Sequence, residues 1–201
     1  MKLKSVPIES FHHPVLSQNG VSVDVKRDDL IHPVISGNKL YKLYFNLVEF
    51  ERSKMKTLLT FGGAYSNHLH AVACVGKELG VPTVGIVRGE QLLPLNPTLK
   101  DCVSWGMTLE PVSRAVYRQK NKCEQVQEII SRYESAYVVP EGGGNLLGVK
   151  GAALMLSGVQ QDDYDVIAVA SGTGATVAGL IYASEPHIKV IGFATLKGAS
   201  W

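Results

Sequence analysis

Lys39, in the run Ser36-Gly37-Asn38-Lys39-Leu40-Tyr41-Lys42-Leu43, puts an ammonium where helix electrostatics disfavours it. Leu40, Leu43, Tyr44, Leu47 and Phe50 recur at helical spacing, so a helix begins near Gly37 or Asn38 with Lys39 in its first turn. A cation at the positive end of the helix dipole has its pKa pushed down. A lysine so depressed is a better nucleophile toward aldehydes, as a Schiff-base lysine must be. The alternative is a surface lysine tolerated at a helix start, at a cost of only ~0.3–1 kcal/mol.

Further chemistry sits in loops that each follow a strand and open a helix. In Phe61-Gly62-Gly63-Ala64-Tyr65-Ser66-Asn67-His68 the paired glycines admit a ligand close to the backbone, and Ser66 is a good N-cap. Free amides at such a helix start suit a carboxylate. A hydrolase elbow would need glycines two residues either side of Ser66, where Ala64 and His68 stand instead. In Ala170-Ser171-Gly172-Thr173-Gly174-Ala175-Thr176, glycines and hydroxyls make a phosphate cradle. No Gly-Lys-Ser/Thr follows, which excludes a Walker loop. The ribose-binding acid of a dinucleotide fold is also missing, since Pro186 to Trp201 contains neither Asp nor Glu. A single phosphate fits better than a dinucleotide, and a nicotinamide-dependent oxidoreductase is the weaker reading. Pro140-Glu141-Gly142-Gly143-Gly144-Asn145 is either a flexible connection or a backbone passing close to something. A lysine, a phosphate cup and a carboxylate site, with no metal cluster, are what pyridoxal phosphate requires.

The elements that must carry these groups alternate along the chain. Strands are expected at 57–61, 83–87, 107–112, 136–139, 165–170 (buried) and 189–194, with an outlying strand at 23–26. Helices are expected from Ser66 through Leu79, from Asn96-Pro97 to Gly106, and over 120–132, 146–160 and 174–184. Arg118-Gln119-Lys120-Asn121-Lys122 reads as a solvated helix start. This order implies an α/β fold of doubly wound parallel sheets, with ligands at the carboxyl ends of strands. The chain stops soon after an apolar strand with no closing helix, so either another element covers that edge or the chain is part of a longer one.

Composition restricts the setting. A formal net charge of +2 over 201 residues is too weak to indicate nucleic acid or a membrane surface. Cys74, Cys102 and Cys123 are widely spaced and odd in number, which supports neither a disulfide frame nor a zinc site. No segment approaches the ~20 apolar residues of a membrane span, and the start lacks a signal peptide. The expected setting is the cytoplasm.

Together these motifs resemble the aminocyclopropane-carboxylate deaminase/D-cysteine desulfhydrase family, within the tryptophan-synthase-β-like (fold type II) pyridoxal-phosphate enzymes. Ser36-Gly37-Asn38-Lys39 with Lys42-Leu43 is similar to the family's lysine motif, and Gly62-Gly63 with Ser66-Asn67-His68 to its substrate-carboxylate loop. Ser171-Gly172-Thr173-Gly174-Ala175-Thr176 is similar to its phosphate loop, with Ala175 where glycine is more usual. The resemblance implies that Lys39 and Ser66 are catalytic, with Lys39 holding the cofactor and moving the α-proton. Asn67 would bond the ring hydroxyl, and Gly172, Thr173, Gly174 and Thr176 the phosphate. Ser66, Asn67 and His68 would bind the substrate. It further implies a small amino-acid substrate, D-cysteine or the cyclopropane amino acid, and allows a homodimer. Residues 1–50 and 150–201 would form an incomplete large domain and 51–149 a small α/β domain, with catalysis by this chain in question because the family's remaining site residues have no counterpart in it. A truncated chain that binds cofactor without turnover is the rival.

Overall fold

A computed structural model describes residues 3–195 of the chain; the expected uncovered end beyond Thr195 lies outside the described residues. The chain opens with β1 (Ile8–Phe11), α1 (Pro14–Gln18) and β2 (Val23–Lys26), and β1 pairs antiparallel with β2. The first two were not anticipated from sequence. β1 is exposed along its four residues and α1 buries none of its five, so neither carries the apolar pattern that revealed β2.

After α2 (Asn38–Ser53) come β3 (Thr57–Gly63), α3 (Asn67–Leu79), β4 (Thr83–Arg88), α4 (Pro97–Ser104) and β5 (Met107–Val112). Next are α5 (Arg114–Gln119), α6 (Glu124–Ser131) and β6 (Ala136–Val139). The four strands β3–β6 make a wholly parallel sheet in the order β5-β4-β3-β6. Leu58 to Phe61 and Val84 to Val87 are buried on both faces, which is why these strands read as unbroken apolar runs. Leu69, Val72 and Val75 of α3 pack with Leu58 in one core cluster. Tyr117, Val126 and Ile129, from α5 and α6, pack with Leu59, Phe61 and Ile86 in a second.

The remaining elements are α7 (Leu146–Ala153), β7 (Val166–Ser171), α8 (Ala175–Ala183) and β8 (Lys189–Ala194). β7 and β8 pair in parallel. The architecture is the expected α/β type, with parallel sheets and helices against them. Three expectations need correction. The helix expected over 120–132 begins only at Glu124, because Lys120, at a φ of +50°, ends α5 and opens a 3-10 turn over Lys120–Lys122. The helix expected to reach Gln160 ends at Ala153, tightens to a 3-10 turn over Leu154–Leu156 and stops before Gly158 at φ +78°. Strand β7, expected to be buried, alternates between exposed and half-buried, because only β8 flanks it among the described residues. No helix among the described residues is long and apolar enough to cross a membrane.

Candidate active site

Sheet order locates the site before any side chain does. From β3 the chain winds outward through β4 and β5, then returns to place β6 on the opposite flank of β3. Loops leaving β3 and β6 therefore diverge at a topological switch point, where open parallel sheets bind ligands. The two loops are the Gly62–His68 turn and the Pro140–Asn145 turn.

Lys39 is the second residue of α2, as its spacing predicts, and Gly37 before it offers no side-chain cap. Its Nζ donates to Asn38 Oδ1 at 2.6 Å, and burial lowers its pKa. One turn on, Lys42 is 2% exposed. Burial first, then the charge of Lys39, pushes Lys42 down to about 8. The first turn of α2 is tied to the loop between β7 and α8 at two points: Lys42 Nζ donates to Thr173 Oγ1 at 3.3 Å, and Asn38 Nδ2 to Thr176 Oγ1 at 2.8 Å. Among the described residues neither lysine has a carboxylate within ion-pair distance. Two cations without an acid, beside threonine hydroxyls and a turn of amides, form a set of donors lacking an anion.

The glycine loop explains itself here. Gly142 and Gly143 adopt φ of +62° and +64°. A Cβ on Gly142 would meet Thr173 Cγ2 at 3.0 Å, and one on Gly143 would meet Lys42 Cβ at 3.3 Å. The close approach expected of this loop is thus to Lys42 and Thr173. Behind it, Asn145 and Asn46 exchange amide hydrogen bonds at 2.8 and 3.3 Å, joining α7 to α2.

At the start of α3, Ser66 Oγ accepts from the amides of His68 and Leu69, both at 3.2 Å, so the N-cap is as expected. Its own proton stays available to donate. Asn67 is exposed. His68 is only 2% exposed, and its Nε2 lies 2.9 Å from Thr60 Oγ1. Thr60 gives its proton to the Val139 carbonyl at 2.8 Å, so it accepts from Nε2–H and leaves Nδ1 bare. That Nδ1 is buried with no hydrogen-bond partner. Burial, Lys39 and Lys42 together push His68 down to about 3, so the ring is neutral. Lys39, Lys42, Thr173 and Thr176 thus gather at the head of α2, and Ser66, Asn67 and His68 at the head of α3; no hydrogen bond joins Lys39 to the second group. Gly172 and Gly174 belong to the turn that carries Thr173. Asn38 and the ion-poor setting of Lys42 were not assigned from sequence, although the three-residue spacing of Lys39 and Lys42 puts both on one helix face.

A second cluster was not foreseen. His32 Nε2, Cys74 Sγ and Glu78 Oε1 lie within 4.8 Å of one another. His32 Nδ1 accepts from the amides of Val34 and Ile35 at 3.2 and 3.0 Å, so Nε2 carries the proton, which it donates to Glu78 at 3.0 Å. A metal on Nε2 would need the proton on Nδ1, against those two amides. The cluster is a structural bridge between the 31–35 turn and α3.

No family model matches the chain. A protein of Thermotoga maritima with the provisional name 1-aminocyclopropane-1-carboxylate deaminase is 35% identical over 96% of this chain and 64% of its own length. D-cysteine desulfhydrase of Klebsiella pneumoniae is 30% identical over 96% of this chain and 63% of its own. The solved structure of an ACC deaminase homologue superposes with a TM-score of 0.75 at 27% identity, over 95% of this chain and 60% of that one. In sequence and fold the chain is similar to the aminocyclopropane-carboxylate deaminase/D-cysteine desulfhydrase family. Family members are pyridoxal-phosphate enzymes of fold type II. Serine racemase from Dictyostelium discoideum, with a TM-score of 0.75 at 17% identity, shares that fold. The chain spans less than two thirds of the length of the family members it matches. The acid-free lysines, the threonine hydroxyls and the unpartnered His68 Nδ1 suit a phosphorylated pyridine.

Proposed function

We propose that this chain binds pyridoxal phosphate through Lys39 and takes part in deamination of a small amino acid. The substrate would be D-cysteine, converted with water to pyruvate, ammonia and sulfide, or 1-aminocyclopropane-1-carboxylate, converted with water to 2-oxobutyrate and ammonia. The observation that carries this reading is the pair Lys39 and Lys42, which pair with no carboxylate among the described residues and are joined to the phosphate-type turn by Asn38–Thr176 and Lys42–Thr173. Residues 1–50 and 150–201 are assigned to a large cofactor domain and 51–149 to a small one, with the cofactor between them.

Pyridoxal phosphate, when bound, supplies an aldehyde that takes up amines and a ring that withdraws electrons from the α-carbon. Lys39 Nζ anchors the aldehyde and serves as the base for the α-proton. Its buried, lowered pKa supports this by enlarging the neutral fraction. Lys42, Thr173 and Thr176 hold the phosphate, with the backbone of Gly172 and Gly174. Asn67 donates to the ring hydroxyl. Ser66 donates its free proton to the substrate carboxylate, and His68, neutral and buried, lines the pocket floor rather than contributing charge.

Borohydride reduction of the chain incubated with pyridoxal phosphate, followed by peptide mapping, tests the reading. A label on the Lys39 peptide is expected. A label on Lys42 instead, or none, overturns it. Release of ammonia and pyruvate from D-cysteine then separates an active chain from the rival, a chain that takes the label without turnover.

A further inference from the structure

Glu141 opens the turn that follows β6, and it joins two parts of the molecule. Its carboxylate is engaged on both oxygens: Tyr117 of α5 donates its hydroxyl to Oε1 at 2.6 Å, and the Lys120 ammonium pairs with Oε2 at 2.8 Å. Tyr117 is 3% exposed and packs edge-on against Phe61 in the core cluster of α5 and α6. The backbone of Glu141 leads the other way. Its carbonyl accepts from the Gly144 amide at 3.1 Å, and that of Pro140 from the Gly143 amide at 2.9 Å, closing a single 3-10 turn. Within that turn Gly142 and Gly143 lie against Thr173 and Lys42.

Such a turn does not support itself. Successive glycines at positive φ have wide backbone freedom, and one turn of 3-10 helix adds little to hold them. The far end is fixed by Asn145, which caps the Gly148 amide at 2.8 Å and exchanges amide bonds with Asn46. The near end is fixed by the Glu141 side chain. Its partner Lys120 holds a φ of +50°, uncommon for its type, with its ammonium 5.2 Å from the centroid of the Tyr117 ring. A backbone of that kind persists where its surroundings over-determine it. The pKa of Lys42 is set by burial and by Lys39, so Glu141 reaches Lys42 through the backbone rather than through its charge.

We propose that Glu141 is a positioning residue for the phosphate cup: tied to Tyr117 and Lys120, it sets the Gly142–Gly143 turn against Lys42 and Thr173 and so keeps both donors in place for one anion. This rests on the phosphate reading above. Glu141 touches neither the aldehyde nor the ring in this role, so its removal weakens binding of a ligand that carries the phosphate and spares one that does not.

The test compares pyridoxal phosphate with pyridoxal, which lacks the phosphate, on the full chain. Mass spectrometry after borohydride reduction gives the concentration of each that half-labels Lys39, for wild type, Glu141→Ala, Glu141→Gln and Tyr117→Phe. In Glu141→Ala the preference for the phosphorylated ligand is expected to fall by about threefold to tenfold, the worth of one hydrogen bond. Glu141→Gln still accepts from Tyr117 and should recover part of the loss. Tyr117→Phe removes one hydroxyl and keeps the ring and the carboxylate, so it reads the same loss if Glu141→Ala does not fold. A preference unchanged in these variants, whether both ligands weaken together or neither does, overturns the role of Glu141. A wild type that labels equally with both ligands overturns the phosphate reading instead, and a wild type that takes no label overturns the cofactor reading.

Discussion

Lys42 is the residue whose setting most departs from what its type prefers. Its charge is buried, uncompensated by an acid and next to another lysine, so folding must carry a proton that the unfolded chain holds more easily. With a folded pKa near 8, below its ordinary value, Lys42 is protonated in both states below pH 8, and there its burial cost is fully present. Between pH 8 and about 10.4 the unfolded chain keeps the proton and the folded one does not, so stability rises with pH. Lys42→Met should therefore be more stable than wild type at pH 7, by up to about 3 kcal/mol, and the difference should shrink by pH 10. Urea unfolding of both proteins at the two pH values measures it; a constant difference would show that Lys42 is not the group responsible. A phosphate-bearing ligand should raise the Lys42 pKa and flatten the wild-type slope. In the sequence, Lys39 announced itself by its place at a helix start. Lys42 did not, because its burial and its lack of an acid are set by α7 and the 171–176 turn, more than a hundred residues away in the chain.

At the scale of elements, α2 is held in place by glycines on its neighbours rather than by large side chains. A Cβ on Gly151 of α7 would fall 2.0 Å from the Tyr41 carbonyl oxygen of α2, and one on Gly179 of α8 would fall 2.5 Å from the Val149 carbonyl oxygen of α7. Backbone meets backbone at both crossings, so the three helices form a stack that fixes the heads of α2 and α8 together. Gly151→Ala should cost about 1–3 kcal/mol, the range for overpacking a close contact, and should loosen Lys42 from Thr173. Thermal unfolding and the rate of amine acetylation at Lys42, read by mass spectrometry, check the two consequences. A Gly151→Ala protein with wild-type stability and wild-type Lys42 reactivity would contradict this account. The elements themselves were largely legible from strand and helix periods, as β3 to β6 demonstrate. Their ends were less so: Lys120 at positive φ and the 3-10 turn at Leu154–Leu156 reflect tertiary constraints that no local spacing encodes. The purpose of the small residues of α7 is visible only once α2 lies against them.

Across the whole molecule, order is concentrated in one sheet. β3 has strands on both sides, and Thr57 to Phe61 are buried throughout, as are Thr83 to Val87 of β4. By contrast β1 is exposed along its length, and β7 has one strand neighbour and exposed alternate residues. Between the β1–β2 pair and β7 runs a cleft of about 650 Å³ lined by Val23, Val25, Met155, Leu156, Val166 and Ala168 among others. Apolar walls around a cleft of that size leave those strands with fewer contacts to break on opening. Amide hydrogen exchange should therefore divide the molecule: Leu58–Phe61 and Val84–Val87 should exchange only by global unfolding, and Ile8–Phe11 and Val166–Ala170 by local opening, at least about tenfold faster. The faster set should be insensitive to mild denaturant and the slower set sensitive to it, because only global unfolding exposes large surface. Uniform protection through both groups would mean that the β1–β2 pair and the β7–β8 pair are cooperative with the central sheet, and would remove the reason for treating 51–149 as a separate unit. The 171–176 turn, which meets the head of α2 through Asn38–Thr176 and Lys42–Thr173, follows β7 on the labile side. Addition of pyridoxal phosphate should then slow exchange at Thr173 to Thr176 while leaving Leu58–Phe61 unchanged, since a ligand protects only what opens without it.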